Sequence, residues 1–120
     1  MSKKHHSPEA ELMKERVLNY LKFNSTFQKP IVSKKLQYLY NISDLTVRQA
    51  VGLLRDDGYP IASGAKGFYF AKSADELEGT IDNLQERIAV MSRRRSLLIQ
   101  AQNKMREDDS GQRLLFDNIN

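Results

Sequence analysis

The chain has 120 residues, of which 40% are hydrophobic and 28% charged, and its formal net charge is +4. This length suits one small domain with an appendage, and no apolar run approaches the roughly 18 residues that a membrane span requires. The absence of cysteine excludes a disulfide framework and a thiolate metal site, and the N-terminus lacks the apolar region of a secretory signal. We therefore expect a cytoplasmic protein without a membrane segment.

Residues 1–7 are polar and basic, and we expect them to form a flexible arm. Two adjacent histidines within it, without a third ligand nearby, make a poor metal site. Ser7-Pro8 predicts the start of a helix. The first helical position needs no amide hydrogen, so proline, which has none, is well tolerated there. Apolar residues at helical spacing predict its buried face: Leu12, Met13, Val17, Tyr20 and Leu21.

A second helix is predicted from Lys34 to about Tyr40, with Ser33 as its N-cap. Ile31-Val32, just before it, could form a one-rung strand against a later hairpin. Lys34 and Lys35 occupy the first turn of the helix, where backbone amides already favour an anion. This placement predicts a contact with phosphate.

A third helix is predicted after Ser43, whose hydroxyl can accept a hydrogen bond from an amide of the first turn. Its buried face is predicted from helical spacing to contain Val47, Ala50, Val51 and Leu54. Side chains that could reach base edges and phosphates are expected opposite: Thr46, Arg48, Gln49, Gly52 and Arg55. Asp57-Gly58 should end this helix, because glycine readily adopts the left-handed conformation.

Two β-prone runs, Tyr59–Ala62 and Phe68–Ala71, follow this helix and are joined by Ser63–Gly67, which predicts a hairpin. Phe68 and Phe70 should share one face of the second strand and belong to the core. Lys66 would stand at the tip of the hairpin. It could contact phosphate there, although lysine at a tip can also serve solubility alone.

This region resembles the winged-helix module of the biotin-ligase repressor type in three blocks: Ile42-Ser43-x-x-Thr46-Val47-Arg48, Leu54-Arg55-x-x-Gly58-Tyr59-Pro60-Ile61 and Lys66-Gly67-Phe68-Tyr69. The likeness covers about residues 10–72 and implies a mainly α domain, residues 8–72, with a small β-hairpin wing. Residues 1–74 contain 12 Lys or Arg against 6 Asp or Glu, as suits a domain that binds a polyanion. The residues expected to contact double-stranded DNA are Ser33, Lys34, Lys35, Thr46, Arg48, Gln49, Arg55 and Lys66.

A long helix is predicted over residues 73–106, beginning with a capping box made by Ser73 and Glu76. Its apolar residues follow a heptad pattern with isoleucine at a and leucine or methionine at d, which favours a parallel two-stranded coiled coil. Arg95 and Gln102 interrupt the a positions, and a helix folding back on its own domain would show a similar stripe. The residues predicted to form a homodimer are Leu77, Ile81, Leu84, Ile88, Met91 and Leu98.

The polar segment Arg106–Gly111 is predicted to end the long helix and leave residues 107–120 as a flexible tail. Gln112, Leu115 and Phe116 resemble the first, fourth and fifth positions of the peptide Gln-Leu-Ser/Asp-Leu-Phe, by which bacterial proteins dock on the sliding clamp. Arg113-Leu114 departs from that pattern. The apolar cluster could instead pack on its own domain or bind another partner.

No catalytic constellation or phosphate-cradling glycine loop is visible, so we predict neither an enzyme nor a cofactor. The leading hypothesis is duplex DNA binding by a winged helix, as a dimer, in a bacterial or phage transcription-regulatory or replication-accessory role. The alternative is a protein-interaction module that binds a replication or defence protein, such as the sliding clamp through the C-terminal tail.

Overall fold

Four helices and a small antiparallel sheet make up the part of the chain that the structure describes, a computed structural model covering residues 7–119, with side chains as far as Gly111. The predicted basic arm falls almost entirely in residues 1–6, outside this range. The elements are α1 (Pro8–Asn24), α2 (Ser33–Tyr40), α3 (Asp44–Asp56), β1 (Ile61–Gly64), β2 (Gly67–Phe70), a 3-10 turn (Ala74–Leu77) and α4 (Glu78–Ile119). A mainly helical fold with a small sheet and a long C-terminal helix is therefore confirmed.

The contacts divide the chain into two units, with the boundary between Ile81 and Asp82. The first unit holds α1, α2, α3 and the hairpin. The second consists of the rest of α4. Within the described residues, no helix combines the length and the apolar character needed to cross a membrane.

The first unit is built around one hydrophobic core to which α1, α2, α3 and both strands contribute. Its most buried side chains are Val17, Leu21, Leu36, Val47, Ala50, Val51, Leu54, Ile61 and Phe68. Leu12 was predicted to be buried but is 75% exposed. The small residue Ala10 takes the inward position instead, and Leu12 lies about 200° further around the helix.

The structure confirms side-chain caps at the starts of two of the three short helices for which they were predicted. Ser7 caps α1 by accepting from the Ala10 amide, and Ser43 caps α3 by accepting from the Thr46 amide at 3.1 Å. Ser33 is not an N-cap, because Val32 occupies that position and Ser33 is the first residue of α2. The Ser33 hydroxyl instead donates to the carboxylate of Asp44 in α3, because a charged acceptor makes a stronger hydrogen bond.

The sheet has a two-residue loop and a third, one-rung strand. Gly64 pairs with Gly67, so only Ala65-Lys66 lies between the strands, fewer residues than the predicted link. The predicted bridge of Ile31 is confirmed: its amide donates to the Phe68 carbonyl at 2.7 Å, and the Phe68 amide donates back at 2.8 Å. The hairpin is thereby tied to the segment that leads into α2.

Both faces of the hairpin are covered. Phe68 points into the core as predicted, and the Phe70 side chain packs partly against it. On the other face, the Tyr69 hydroxyl donates to the Glu76 carbonyl in the 3-10 turn at 3.1 Å. The Thr80 hydroxyl, in the first turn of α4, accepts from the Ser63 amide at 3.0 Å and donates to the Ser63 carbonyl at 3.1 Å.

The long helix differs from the prediction at both ends. The Ser73 side chain makes no capping hydrogen bond, and the Glu76 carboxylate accepts from the Lys72 amide. A 3-10 turn precedes α4. The expected break at Arg106–Gly111 is not observed, since α4 continues to Ile119. A helix that has already formed adds residues easily, and a single glycine costs only about 1 kcal/mol relative to alanine.

Candidate nucleic-acid interface

Thr46 does not lie on the exposed side of α3, so its predicted exposure, on which its assignment as a DNA contact rested, was wrong. Its side chain is only 4% exposed. The Thr46 hydroxyl donates to Glu9 of α1 at 3.3 Å and accepts from the Ser43 hydroxyl at 3.0 Å. Thr46 precedes the buried residue Ala50 by one helical turn, which places it at the edge of the buried face.

Gln49 and Arg55 are both half-buried and engaged within the protein. The Gln49 side-chain oxygen accepts from the Ser7 amide at 2.7 Å and so holds the start of α1. The Arg55 side chain donates through Nε to the Ile61 carbonyl at 2.8 Å and through a terminal nitrogen to the Ser63 hydroxyl at 3.2 Å. These bonds fix strand β1 against α3. Both residues position the elements around α3.

Asp44, which sequence reasoning did not single out, ties α2 to α3. One of its carboxylate oxygens accepts from the Ser33 hydroxyl, and the other accepts from Arg48 Nε at 2.8 Å. Gln37 supports this arrangement by donating to the Ser33 hydroxyl at 3.1 Å. The hydrogen bond from Ser33, followed by that from Arg48, lowers the pKa of Asp44 below its ordinary value. The signal in the sequence was the four-residue spacing of an acid and an arginine in the first turns of α3.

Arg48 is the predicted base-contacting side chain that the structure leaves exposed. In the described part of the chain, Asp44 is its only hydrogen-bonding partner, and that bond uses Nε. Within the described residues, the two terminal nitrogens of the guanidinium make no hydrogen bond, and the Arg48 side chain is 62% exposed. Leu45, also on this face, is 64% exposed, and nothing lies within 4 Å of the position that a Cβ would occupy at Gly52.

The three predicted phosphate-contacting lysines are all exposed. Lys34 and Lys35 lie in the first turn of α2, and Lys66 lies in the hairpin loop. Tyr38, one turn after Lys34 on α2, is 85% exposed.

No family model, curated protein or solved structure matches this chain.

The predicted dimerisation residues of α4 form an exposed apolar stripe. Their exposed fractions range from 39% for Leu84 to 71% for Leu98, with Ile81, Ile88 and Met91 between these values. Leu77 differs, because it belongs to the 3-10 turn and is half-buried. The helical stripe therefore begins at Ile81.

The predicted clamp-docking side chains, Gln112, Leu115 and Phe116, lie outside the side chains that the structure describes. The backbone there continues α4 as far as Ile119, whereas the docking prediction assumed an extended segment after a linker. Docking on a sliding clamp stays a prediction.

Proposed function

We propose that this protein binds duplex DNA through a winged helix-turn-helix, with α3 as the recognition helix and the β1–β2 hairpin as the wing. In a helix-turn-helix, the second helix enters the major groove and its N-terminal residues contact base edges. Here α2 and α3 are joined by the short turn Asn41–Ser43, in which Asn41 adopts the left-handed conformation. Arg48 lies early in α3 and is exposed.

The arrangement of Arg48 carries the proposal. Asp44 holds Nε of the guanidinium, so the orientation of the side chain is restricted before any ligand binds. The two terminal nitrogens remain to donate a pair of parallel hydrogen bonds. Guanine presents two acceptors, O6 and N7, at the spacing that such a pair of donors fits. We therefore expect Arg48 to contact a guanine in the preferred site.

The exposed lysines would supply affinity that does not depend on sequence. Lys34 and Lys35 on α2 and Lys66 on the hairpin loop can each neutralise a phosphate. The surplus of basic residues in the first 74 residues supports this role.

Self-association through α4 completes the proposal. A row of exposed apolar side chains on a helix is costly in water, and a second copy in a parallel coiled coil would cover it. A dimer would present two recognition helices to two half-sites, as suits a bacterial or phage regulator of transcription or a replication accessory protein.

Binding-site selection with the purified protein, followed by salt titration on the selected duplex, tests the DNA-binding proposal. We expect Arg48→Ala to weaken binding to the preferred site by about 1–3 kcal/mol while changing affinity for random duplexes little. Lys34→Ala, Lys35→Ala and Lys66→Ala should each weaken binding to all duplexes and reduce the salt slope by about one unit. Lys104→Ala, which removes the same charge from α4, is the matched control and should leave the slope unchanged.

Unchanged DNA affinity in Arg48→Ala and in all three lysine variants of the first unit would overturn the proposal. The protein-interaction alternative would then be preferred.

A further inference from the structure

Leu45 is an exposed apolar side chain on a face of α3 whose neighbouring residues are polar, charged or glycine. It is the second residue of α3 and is 64% exposed. Its neighbours on the same helical face are Arg48 and Gln49, one turn away, and Gly52, two turns away. An isolated exposed leucine is ordinary on a protein surface, but its position in the first turn of α3 puts it where a recognition helix contacts bases.

We propose that Leu45 contacts the 5-methyl group of a thymine in the major groove and so determines the base preferred at one position. This inference rests on the proposed DNA-binding function. Among the groups that bases expose in the major groove, the thymine methyl is the apolar one, and the others are hydrogen-bond donors and acceptors. A leucine side chain can make no hydrogen bond, so the thymine methyl is the group that it can contact without leaving a polar atom unpaired.

The neighbours of Leu45 allow the helix to approach the bases closely enough for this contact. Gly52 has no side chain, and the space above its backbone is open. Arg48, held by Asp44, would fix the register by binding guanine. Residues three apart on a helix face have Cβ atoms about 5–6 Å apart, and successive base pairs are about 3.4 Å apart. The thymine should therefore lie within about two base pairs of the guanine that Arg48 contacts.

Replacement of thymine by uracil tests the contact, because uracil lacks only the methyl group. Each thymine of the selected duplex is replaced in turn, and the dissociation constant is measured for the wild-type protein and for variants. We expect one replacement to weaken wild-type binding about fourfold, the value expected for one buried methyl group. Leu45→Ala should bind the thymine and uracil duplexes equally, whereas Leu45→Met, which keeps an apolar side chain, should retain a preference.

Leu12→Ala is the matched control, because it truncates another exposed leucine, on α1, and should keep the full thymine preference. The melting temperature of Leu45→Ala should equal that of the wild type, since its side chain is largely exposed. A thymine preference that persists in Leu45→Ala, or no thymine preference in the wild type, would overturn this inference while leaving DNA binding intact. If the wild type selects no duplex at all, both the inference and the proposed function fail.

Discussion

Gly67 lies where the hairpin comes closest to the segment before α2. Its φ angle is +128°, which L side chains rarely adopt. A Cβ built on this residue would lie 2.3 Å from the carbonyl oxygen of Ile31 and 2.8 Å from the backbone nitrogen of Val32. Both obstacles are backbone atoms, so neither can move aside by a change of rotamer. The fold therefore requires glycine at this position.

Gly67→Ala should lower the free energy of unfolding by about 3–5 kcal/mol, through backbone strain and loss of the two Ile31–Phe68 hydrogen bonds. Urea denaturation of the wild type and the variant measures this difference. Gly64→Ala, at the paired position in the same hairpin, is the control. Gly64 has open space around it and no positive φ, so we expect a change below about 1 kcal/mol. Equal denaturation midpoints for the two variants would contradict this explanation.

Residues in α3 differ in how far their roles could be predicted from sequence. The cap at Ser43 and the buried Val47 follow from local rules of capping and spacing, and the structure confirms both. Thr46 could not be assigned in this way, because threonine suits either side of a helix and the Glu9 carboxylate that binds it is far away in sequence. The same holds for Arg55, whose partner Ile61 is reached only after the chain turns back. Hydrogen bonds between different elements of the fold are not visible in a residue pattern.

At the scale of elements, the Asp44 carboxylate adds a hydrogen bond between α2 and α3 to their shared core. Because folding lowers the pKa of Asp44, its contribution to stability is present above the pKa of an unfolded aspartate and is lost as the pH falls through the lower folded value. The carboxylate therefore stays charged near neutral pH. Arg48 keeps its orienting partner throughout that range.

Ser33→Ala should raise the pKa of Asp44 towards its ordinary value, because the hydroxyl of Ser33 is the largest cause of the lowering. Arg48→Ala should also raise it, because the variant loses both the hydrogen bond and the positive charge of the guanidinium. Titration of the Asp44 carboxyl carbon by NMR measures both effects. Ser73→Ala removes a hydroxyl that makes no capping bond and serves as the control. An unchanged pKa in Ser33→Ala would show that this hydrogen bond is absent in solution.

The long helix shows where element boundaries could not be predicted. Its heptad pattern predicts a helix, whereas the polar, glycine-containing segment Arg106–Gly111 predicts a break. The structure shows that α4 continues through this segment. Local propensity is a weak guide here, because extending a formed helix is easier than starting one. The one-rung strand at Ile31 was predicted to pair with the hairpin, and the structure confirms it.

At the scale of the whole molecule, the exposed stripe on α4 determines the expected assembly state. Ile88 occupies an a position of the heptad pattern and is 59% exposed in the single chain. Ile88→Asp should dissociate the proposed dimer, because a charge would be buried without a partner in its apolar interface. Light scattering and sedimentation at micromolar concentration measure the mass of the protein.

Leu97→Asp is the matched control for the proposed dimer. Leu97 is 54% exposed on the same helix but lies outside the a and d positions, so its replacement should leave the dimer intact. A wild-type monomer at micromolar concentration, or equal dissociation by both variants, would reject the coiled coil.

The Ile31–Phe68 bridge closes a loop that contains all of α2, α3 and β1. Because each of these residues donates to the carbonyl of the other, the two amides can exchange with solvent only when the loop opens. Their deuterium exchange should therefore report a single opening event with a single free energy. Distinct values at the two amides would show that the bridge frays one bond at a time. A common value would give the free energy with which the hairpin separates from the segment before α2.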